Sequence, residues 1–200
     1  AAGRKILVDA GISGDLEWSS RHHNPTKREP DQYLIPALAR YHTRPEELEM
    51  VILTHLHWDH AKGVLELPAA IPVYVQRSEL FYAIDPCPPD AKHYETNVKD
   101  ELPYFLKYYH LLRLLDGEKT ITEGIRVIPL PGHSPGSQGI VVETKNGPYV
   151  ITGDLINCME NWTKRIPAGI CHSLNDYYQS FAKLESLEKQ GAKILPGHDF

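Results

Sequence analysis

The 200-residue chain contains few cysteines, and they give no sign of a disulfide framework. Cys87, Cys158 and Cys171 are an odd number, and they are far apart in the sequence. Because disulfide scaffolds need an even set of cysteines, we expect a reducing, cytoplasmic compartment. A strand pattern already begins near Lys5, so we also expect that the chain starts inside its fold and that an earlier segment precedes it.

The chain also lacks an excess of positive charge and long hydrophobic runs. Its formal net charge is -5 and its basic residues are scattered, so a phosphate backbone would meet no basic surface. The apolar runs are much shorter than the roughly 20 residues that span a bilayer, so neither a nucleic-acid partner nor a membrane partner is expected. A hydrophobic content of 42% supports one buried core. Since domains commonly have about 100–200 residues, we predict a single domain across residues 1–200.

Short β-branched runs alternate with amphipathic segments in both halves of the chain, which predicts an α/β fold built in layers. The predicted strands cover residues 5–8, 49–54, 71–75, 120–121, 125–130, 139–144, 148–152 and 194–195. The predicted helices cover residues 31–40, 61–67, 77–84, 102–115 and 177–190, with a further helical start at Pro45. Residues 14–30 and 85–101 are rich in polar residues or proline and predict surface loops.

Three histidines and one aspartate lie between positions 55 and 60, directly after a predicted buried strand. Alternate residues at a strand end point the same way, so His55 and His57 can bind one metal ion. The chain then turns and can present Asp59 and His60 to a second ion. Imidazole and carboxylate ligands suit zinc, with iron, manganese or cobalt as alternatives. A polar turn with ordinary histidines is the competing interpretation, but buried histidines are costly unless they are bonded.

Three later segments have a common form, in which a short strand ends on glycine and a possible ligand follows. These ligands are His133, Asp154 and His198. The preceding glycine lets the backbone approach other groups closely. Each segment alone is more typical of a plain turn. Together with the first cluster, the three segments indicate one metal site with seven ligands.

The remaining aromatic residues and histidines are interpreted as core, packing or surface residues. Trp58 is expected to pack beneath the ligand loop, with a place in the substrate wall as the alternative. Four aromatic residues are expected in the core, with an acyl-chain pocket as the alternative: Tyr104, Phe105, Tyr108 and Tyr109. Six histidines lack ligand spacing and are interpreted as surface or packing residues: His22, His23, His42, His93, His110 and His172.

The motifs H-x-H-x-D-H at 55–60, G-H-S-P-G at 132–136, G-D at 153–154 and G-H-D at 197–199 resemble the metallo-β-lactamase superfamily in order and spacing. This resemblance implies a four-layer αββα sandwich with a dinuclear site at one edge of two facing sheets. It implies that His55, His57 and His133 bind the first zinc ion, and that Asp59, His60 and His198 bind the second. Asp154 would bridge both ions.

Within the superfamily, the segments 76–80, 116–118 and 131–138 look most like the N-acyl homoserine lactonases. The resemblance implies a hydrolase that opens the lactone ring by attack of a metal-bridging hydroxide, with Asp59 as the catalytic residue that moves the proton. Many of these enzymes have a tyrosine three residues after the bridging aspartate, where this chain has Asn157. Asn157 itself, or one of the three tyrosines Tyr149, Tyr177 and Tyr178, could supply the corresponding hydrogen bond.

Other functions on the same site stay open at this stage. The alternatives are another hydrolase, namely a thioesterase, phosphodiesterase or β-lactamase, and an inactive metal-binding domain. β-Lactamases usually have a different residue in place of Asp154, and di-iron redox relatives usually have glutamate in place of His57. We expect a small-molecule lactone or ester substrate and a homodimer.

The resemblance also implies that a first hairpin and a last element are absent from this chain. His198 lies close to a chain end, and ends fray unless they are bonded. A fragment, a second subunit that supports the site, and an unusual architecture are the alternatives.

Overall fold

The computed structural model describes residues 3–199, which divide into two compact units. The N-terminal unit comprises residues 3–75 and Phe81–Arg113, and the C-terminal unit comprises Gln76–Leu80 and residues 114–199. The single domain over residues 1–200 stays a prediction. Within residues 3–199, no helix combines the length and the apolar character needed to cross a membrane.

The first sheet has four strands in the order of the chain. They are β1 (Ile6–Val8), β2 (Met50–Ile52), β3 (Val73–Gln76) and β4 (Leu112–Leu115). β1, β2 and β3 are parallel neighbours, with Ile6 opposite Met50 and Val51 opposite Val73. Both Val51 and Val73 are fully buried. Parallel strands covered on both faces read as unbroken β-branched runs, which is why the sequence predicted β2 and β3.

The second sheet has five strands, also in chain order. They are β5 (Lys119–Thr122), β6 (Ile125–Pro129), β7 (Gln138–Val142), β8 (Tyr149–Ile151) and β9 (Lys193–Leu195). β5 to β8 form an antiparallel meander, and β9 pairs with β8 in parallel. A turn at Asn146 and Gly147 joins β7 to β8, with Gly147 at a φ of 92°. A left-handed φ is what glycine permits at such a turn.

The structure has seven α-helices between residues 3 and 199. They are α1 (Leu16–His22), α2 (Leu34–Arg40), α3 (Trp58–Ala61), α4 (Arg77–Ile84), α5 (Tyr104–Lys107), α6 (Met159–Lys164) and α7 (Leu174–Lys189). Short 3-10 turns cover Pro30–Gln32, Pro45–Glu47, Lys62–Glu66, Tyr109–Leu111 and Gly153–Leu155. α7 buries Tyr177, Phe181 and Leu184 in the core of the C-terminal unit. This apolar stripe is the amphipathic pattern that predicted the helix.

The predicted loop over residues 14–30 is wrong in its first part, because α1 forms there. The Asp15 carboxylate caps this helix by accepting a hydrogen bond of 2.9 Å from the Trp18 backbone N–H. An aspartate at this position satisfies one of the free N–H groups of the first turn. Residues 158–164 were also outside every predicted helix, although α6 lies there.

The predicted helix over residues 102–115 is wrong in its second part. α5 ends at Lys107, and Leu112–Leu115 forms strand β4. The apolar residues of such a short run fit a helix or a strand, and the choice depends on the sheet that supplies backbone partners. Tyr104, Phe105 and Tyr108 are buried, as expected of core residues, whereas Tyr109 is 58% exposed and does not belong to the core.

Gly63 offers a direct test of how the N-terminal unit packs. A Cβ at this position would lie 2.2 Å from the Ala10 carbonyl oxygen. Gly63→Ala would therefore push the backbone at Gly63 away from the backbone at Ala10. We expect a loss of about 1–3 kcal/mol of stability, measured by thermal or denaturant unfolding. Gly169→Ala is the control, because a Cβ there meets no atom within 4 Å. Equal unfolding midpoints for the two variants would contradict this packing.

Candidate metal centre

The ligand-rich segment begins where β2 ends, and it changes from strand to helix within a few residues. His55 is fully buried and His57 is 3% exposed, and their ring centroids lie 4.5 Å apart. His57 is still extended, and α3 starts at the next residue and carries Asp59 and His60. The rings of His55 and His60 are 4.3 Å apart. The turn therefore gathers side chains that an unbroken strand would have placed on opposite faces.

Asp9, at the end of β1, anchors this segment. Its carboxylate accepts hydrogen bonds from the Thr54 backbone N–H at 2.7 Å and from the Thr54 hydroxyl at 2.8 Å. The same carboxylate lies 2.7 Å from Nδ1 of His60. Asp9 has a φ of 54°, a left-handed conformation that is uncommon for a residue with a side chain. Because β1 and β2 are parallel neighbours, their carboxyl ends bring Asp9 to the ligands.

These bonds fix which nitrogen of each imidazole can bind a metal ion. The Thr54 hydroxyl donates its proton to Asp9, so it accepts from Nδ1–H of His55 at 2.9 Å. Nδ1–H of His60 donates to Asp9 directly. In the neutral form of both rings Nε2 is therefore the unprotonated nitrogen, as a metal ligand requires. This role of Asp9 was not predicted from the sequence.

Two buried tyrosines hold the backbone around the ligand segment. The Tyr104 hydroxyl donates to the Leu56 carbonyl oxygen, and the Tyr108 hydroxyl donates to the Ala61 carbonyl oxygen at 3.1 Å. Burial raises the pKa of Tyr104 and of Tyr108 well above the usual range, so both stay protonated donors. The aromatic residues expected in the core thus also stabilise the ligand loop.

In the C-terminal unit, His133 lies in the turn between β6 and β7. Its Nδ1 is 3.1 Å from the Ile170 carbonyl oxygen, an acceptor that again leaves Nε2 for a metal ion. The turn is held by the buried carboxylate of Glu79, which accepts from the Ser134 hydroxyl at 2.6 Å and from the Gly136 N–H at 3.0 Å. Gly132 precedes His133 with a φ of 140°, and a Cβ there would lie 2.6 Å from the Tyr177 backbone. This role of Glu79 was not predicted from the sequence.

Asp154 follows β8, and its carboxylate lies between two of the predicted ligands. One oxygen is 3.0 Å from Nε2 of His198, and the other is 3.6 Å from Nε2 of His133. The backbone N–H of His198 donates to the Asn157 carbonyl oxygen at 2.8 Å. The backbone of the segment after β9 is therefore bonded to the segment that follows β8. The His198 side chain is 40% exposed.

The Tyr177 hydroxyl bonds to the backbone at Asp154 and Leu155. It lies 2.6 Å from the Leu155 carbonyl oxygen and accepts from the Ala168 N–H at 3.1 Å. Burial raises the pKa of Tyr177, which keeps the hydroxyl protonated. Tyr177 is therefore bonded to the backbone and is not the substitute for the lactonase tyrosine that the sequence allowed. Asn157 Oδ1 is buried and has no hydrogen-bond partner among residues 3–199.

Four of the seven predicted ligands lie in the N-terminal unit and three lie in the C-terminal unit. The first four are His55, His57, Asp59 and His60, and the other three are His133, Asp154 and His198. Imidazole nitrogens and carboxylate oxygens are a suitable donor set for zinc. The donors present therefore fit a pair of divalent cations.

A sequence model of the Metallo-beta-lactamase superfamily matches residues 1–198. This chain therefore belongs to that superfamily, and the resemblance predicted from its motifs is confirmed. Among curated relatives, an N-acyl homoserine lactonase from Bacillus sp is 31% identical over 97% of this chain and 76% of the relative.

Solved structures of such enzymes have the same fold. An N-acyl homoserine lactone hydrolase with N-hexanoyl-L-homoserine bound at its catalytic metal centre is 25% identical, with a TM-score of 0.78 over 98% of this chain and 76% of that chain. AidC, a dizinc quorum-quenching lactonase, is 18% identical, with a TM-score of 0.73 over 100% of this chain and 70% of that chain. These likenesses confirm the predicted α/β fold of the metallo-β-lactamase type.

Replacing Asp9 tests whether its carboxylate prepares the imidazoles. Asp9→Asn removes the anion that accepts from His60 and Thr54, so we expect about 10-fold to 100-fold weaker zinc binding, measured by chelator competition. Asp15→Asn is the matched control, because asparagine also caps a helix well. Zinc affinity in Asp9→Asn equal to that of the control would rule out this role.

Proposed function

We propose that this protein is a dinuclear metal-dependent hydrolase that opens the lactone ring of N-acyl homoserine lactones or related lactones. The observation that carries the proposal is the set of seven His and Asp ligands on a chain whose curated relatives are N-acyl homoserine lactonases. Zinc is the expected metal, with iron, manganese or cobalt as alternatives. The substrate is a small lactone or ester.

The ligand roles in this proposal are those that the family resemblance implies. His55, His57 and His133 hold the first ion, and Asp59, His60 and His198 hold the second. The two oxygens of Asp154 face different imidazoles, which supports a bridging role for this carboxylate. Two bound divalent ions would lower the pKa of a shared water and polarise the lactone carbonyl.

Asp59 is the residue proposed to move the proton. Its side chain is 30% exposed, and Oδ2 lies 3.8 Å from Nε2 of His60. A carboxylate in this place can take the proton of the attacking hydroxide and pass it to the ring oxygen as the carbon–oxygen bond breaks. The product is the open-chain acyl homoserine, with a free carboxylate and a hydroxyl group.

Two further parts of the proposal concern the cellular setting. The described cysteines are all free thiols, which supports a reducing, cytoplasmic compartment. A homodimer is the proposed assembly, to be tested by light scattering.

Metal analysis and a lactone assay test the proposal together. Protein purified without chelators should contain about two metal ions per chain and should open a long-chain acyl homoserine lactone, with activity lost when the metal is removed and regained when zinc is returned. Bound metal without ring opening would favour a thioesterase, phosphodiesterase or β-lactamase, or an inactive metal-binding domain. Protein that binds no metal would contradict the proposal.

Asp59→Asn tests the proton-transfer role separately. Asparagine cannot accept the proton, so we expect the variant to retain part of its metal and to lose about 100-fold or more of its kcat. Asp85→Asn changes an exposed carboxylate and serves as the control. Unchanged turnover in Asp59→Asn would exclude the role.

A further inference from the structure

Three consecutive residues of the irregular segment 85–101 contact the ligand segment. The His93 carbonyl oxygen accepts from the Trp58 N–H at 2.9 Å. The Tyr94 ring meets the His57 ring edge-on, with centroids 4.8 Å apart. The Glu95 carboxylate contacts Lys62. We call His93, Tyr94 and Glu95 the clamp segment.

The clamp segment is more deeply buried than a surface loop would be. Tyr94 is fully buried and Glu95 is 5% exposed, although the sequence of this region predicted a surface excursion. Glu95 also has a φ of 57°, in the left-handed region. A charged residue in that conformation is costly and persists only where the surroundings hold it firmly, which occurs often at functional sites.

Glu95 forms a buried ion pair with Lys62, which lies two residues after the ligand His60. Both carboxylate oxygens are 2.9 Å from the Lys62 ammonium, and the two side chains are 5% and 9% exposed. The Trp18 ring covers the ammonium, with its centroid 3.1 Å away. A cation over an indole face is favourable when it is shielded from water.

His23 connects the same carboxylate to the ligand segment at a second point. Its Nε2 lies 3.0 Å from Glu95 Oε1. Its ring stacks on Trp58, with centroids 3.8 Å apart and an angle of 2° between the planes. Trp58 stands between the ligands His57 and Asp59. Glu95 is therefore joined to the ligand segment on both sides, through Lys62 after the last ligand and through His23 at Trp58.

Stability alone does not explain the buried ion pair between Glu95 and Lys62. A buried ion pair is often no more stabilising than apolar side chains of similar size, because the charges lose their hydration. What the pair provides is one defined geometry, since each charge is satisfied only when the other is in place.

We propose that Glu95 is a positioning residue. It acts through Lys62 and His23 to hold residues 57–62, which include Trp58, in the geometry that binds metal. Its effect on turnover rests on the proposed function, whereas its effect on metal binding does not. No part of the proposal requires Glu95 to contact the substrate.

The decisive variant replaces both charges at once, because either single change leaves an unpaired buried charge. Lys62→Met with Glu95→Met should keep a thermal midpoint near that of the parent, since two apolar side chains can fill the space. We expect zinc binding about 10-fold weaker by chelator competition, and a lower kcat/KM for the lactone. The matched control is Lys99→Met with Glu46→Met, which makes the same changes at two exposed side chains.

Parent-like zinc affinity together with parent-like kcat and KM in the double variant would overturn the proposal and leave the ion pair a structural role. Should the double variant not fold, His23→Phe decides, because phenylalanine keeps a ring on Trp58 and loses only the bond to Glu95. Weaker zinc binding than in the parent supports the proposal, and equal binding overturns it. Because zinc affinity needs no substrate, a parent that binds zinc without opening lactones would refute the proposed function alone.

Discussion

The hydrogen bonds of the Asp9 carboxylate are the interaction on which the N-terminal part of the metal centre depends. They join the ends of β1 and β2 through Thr54, and they orient the His60 ring directly and the His55 ring through the Thr54 hydroxyl. A partly buried carboxylate is stable when donors surround it, and here the donors are the groups that must be fixed for metal binding. The same hydrogen bonds therefore stabilise the Asp9 carboxylate and place the imidazole proton on Nδ1 of His55 and of His60.

The C-terminal unit reaches the same result with different groups. A backbone carbonyl fixes the His133 ring, the buried Glu79 carboxylate holds the following turn, and Tyr177 holds the backbone beside Asp154. In both units the ligands follow strand ends, where the chain is leaving a rigid element and can still be bonded to it. Binding residues on loops with a rigid support are common for this reason. The supporting bonds determine how well such ligands keep their geometry.

The sequence predicted the ligand groups because their spacing is local: His55 to His60 lie in one turn, and His133, Asp154 and His198 each follow a glycine at a strand end. It also predicted the strands whose β-branched runs are buried. It did not reveal Asp9 or Glu95, because their partners are distant in the chain: Asp9 bonds Thr54, and Glu95 bonds Lys62. Such pairs depend on how elements come together, which a local pattern does not contain. For the same reason β4 was predicted as helix.

The composition of the ligand set links metal binding to the fold itself. The predicted ligands are five imidazoles and two carboxylates, and most of these side chains are buried. Buried polar atoms lose hydration and are stable only when they are bonded. Divalent cations would supply such bonds, and an ion that binds the folded chain alone also stabilises it. Before any ion binds, the hydrogen bonds of Asp9 and Glu79 and the ion pair of Glu95 offset part of the free energy needed to bring these ligands together. These contacts therefore help to preform the site.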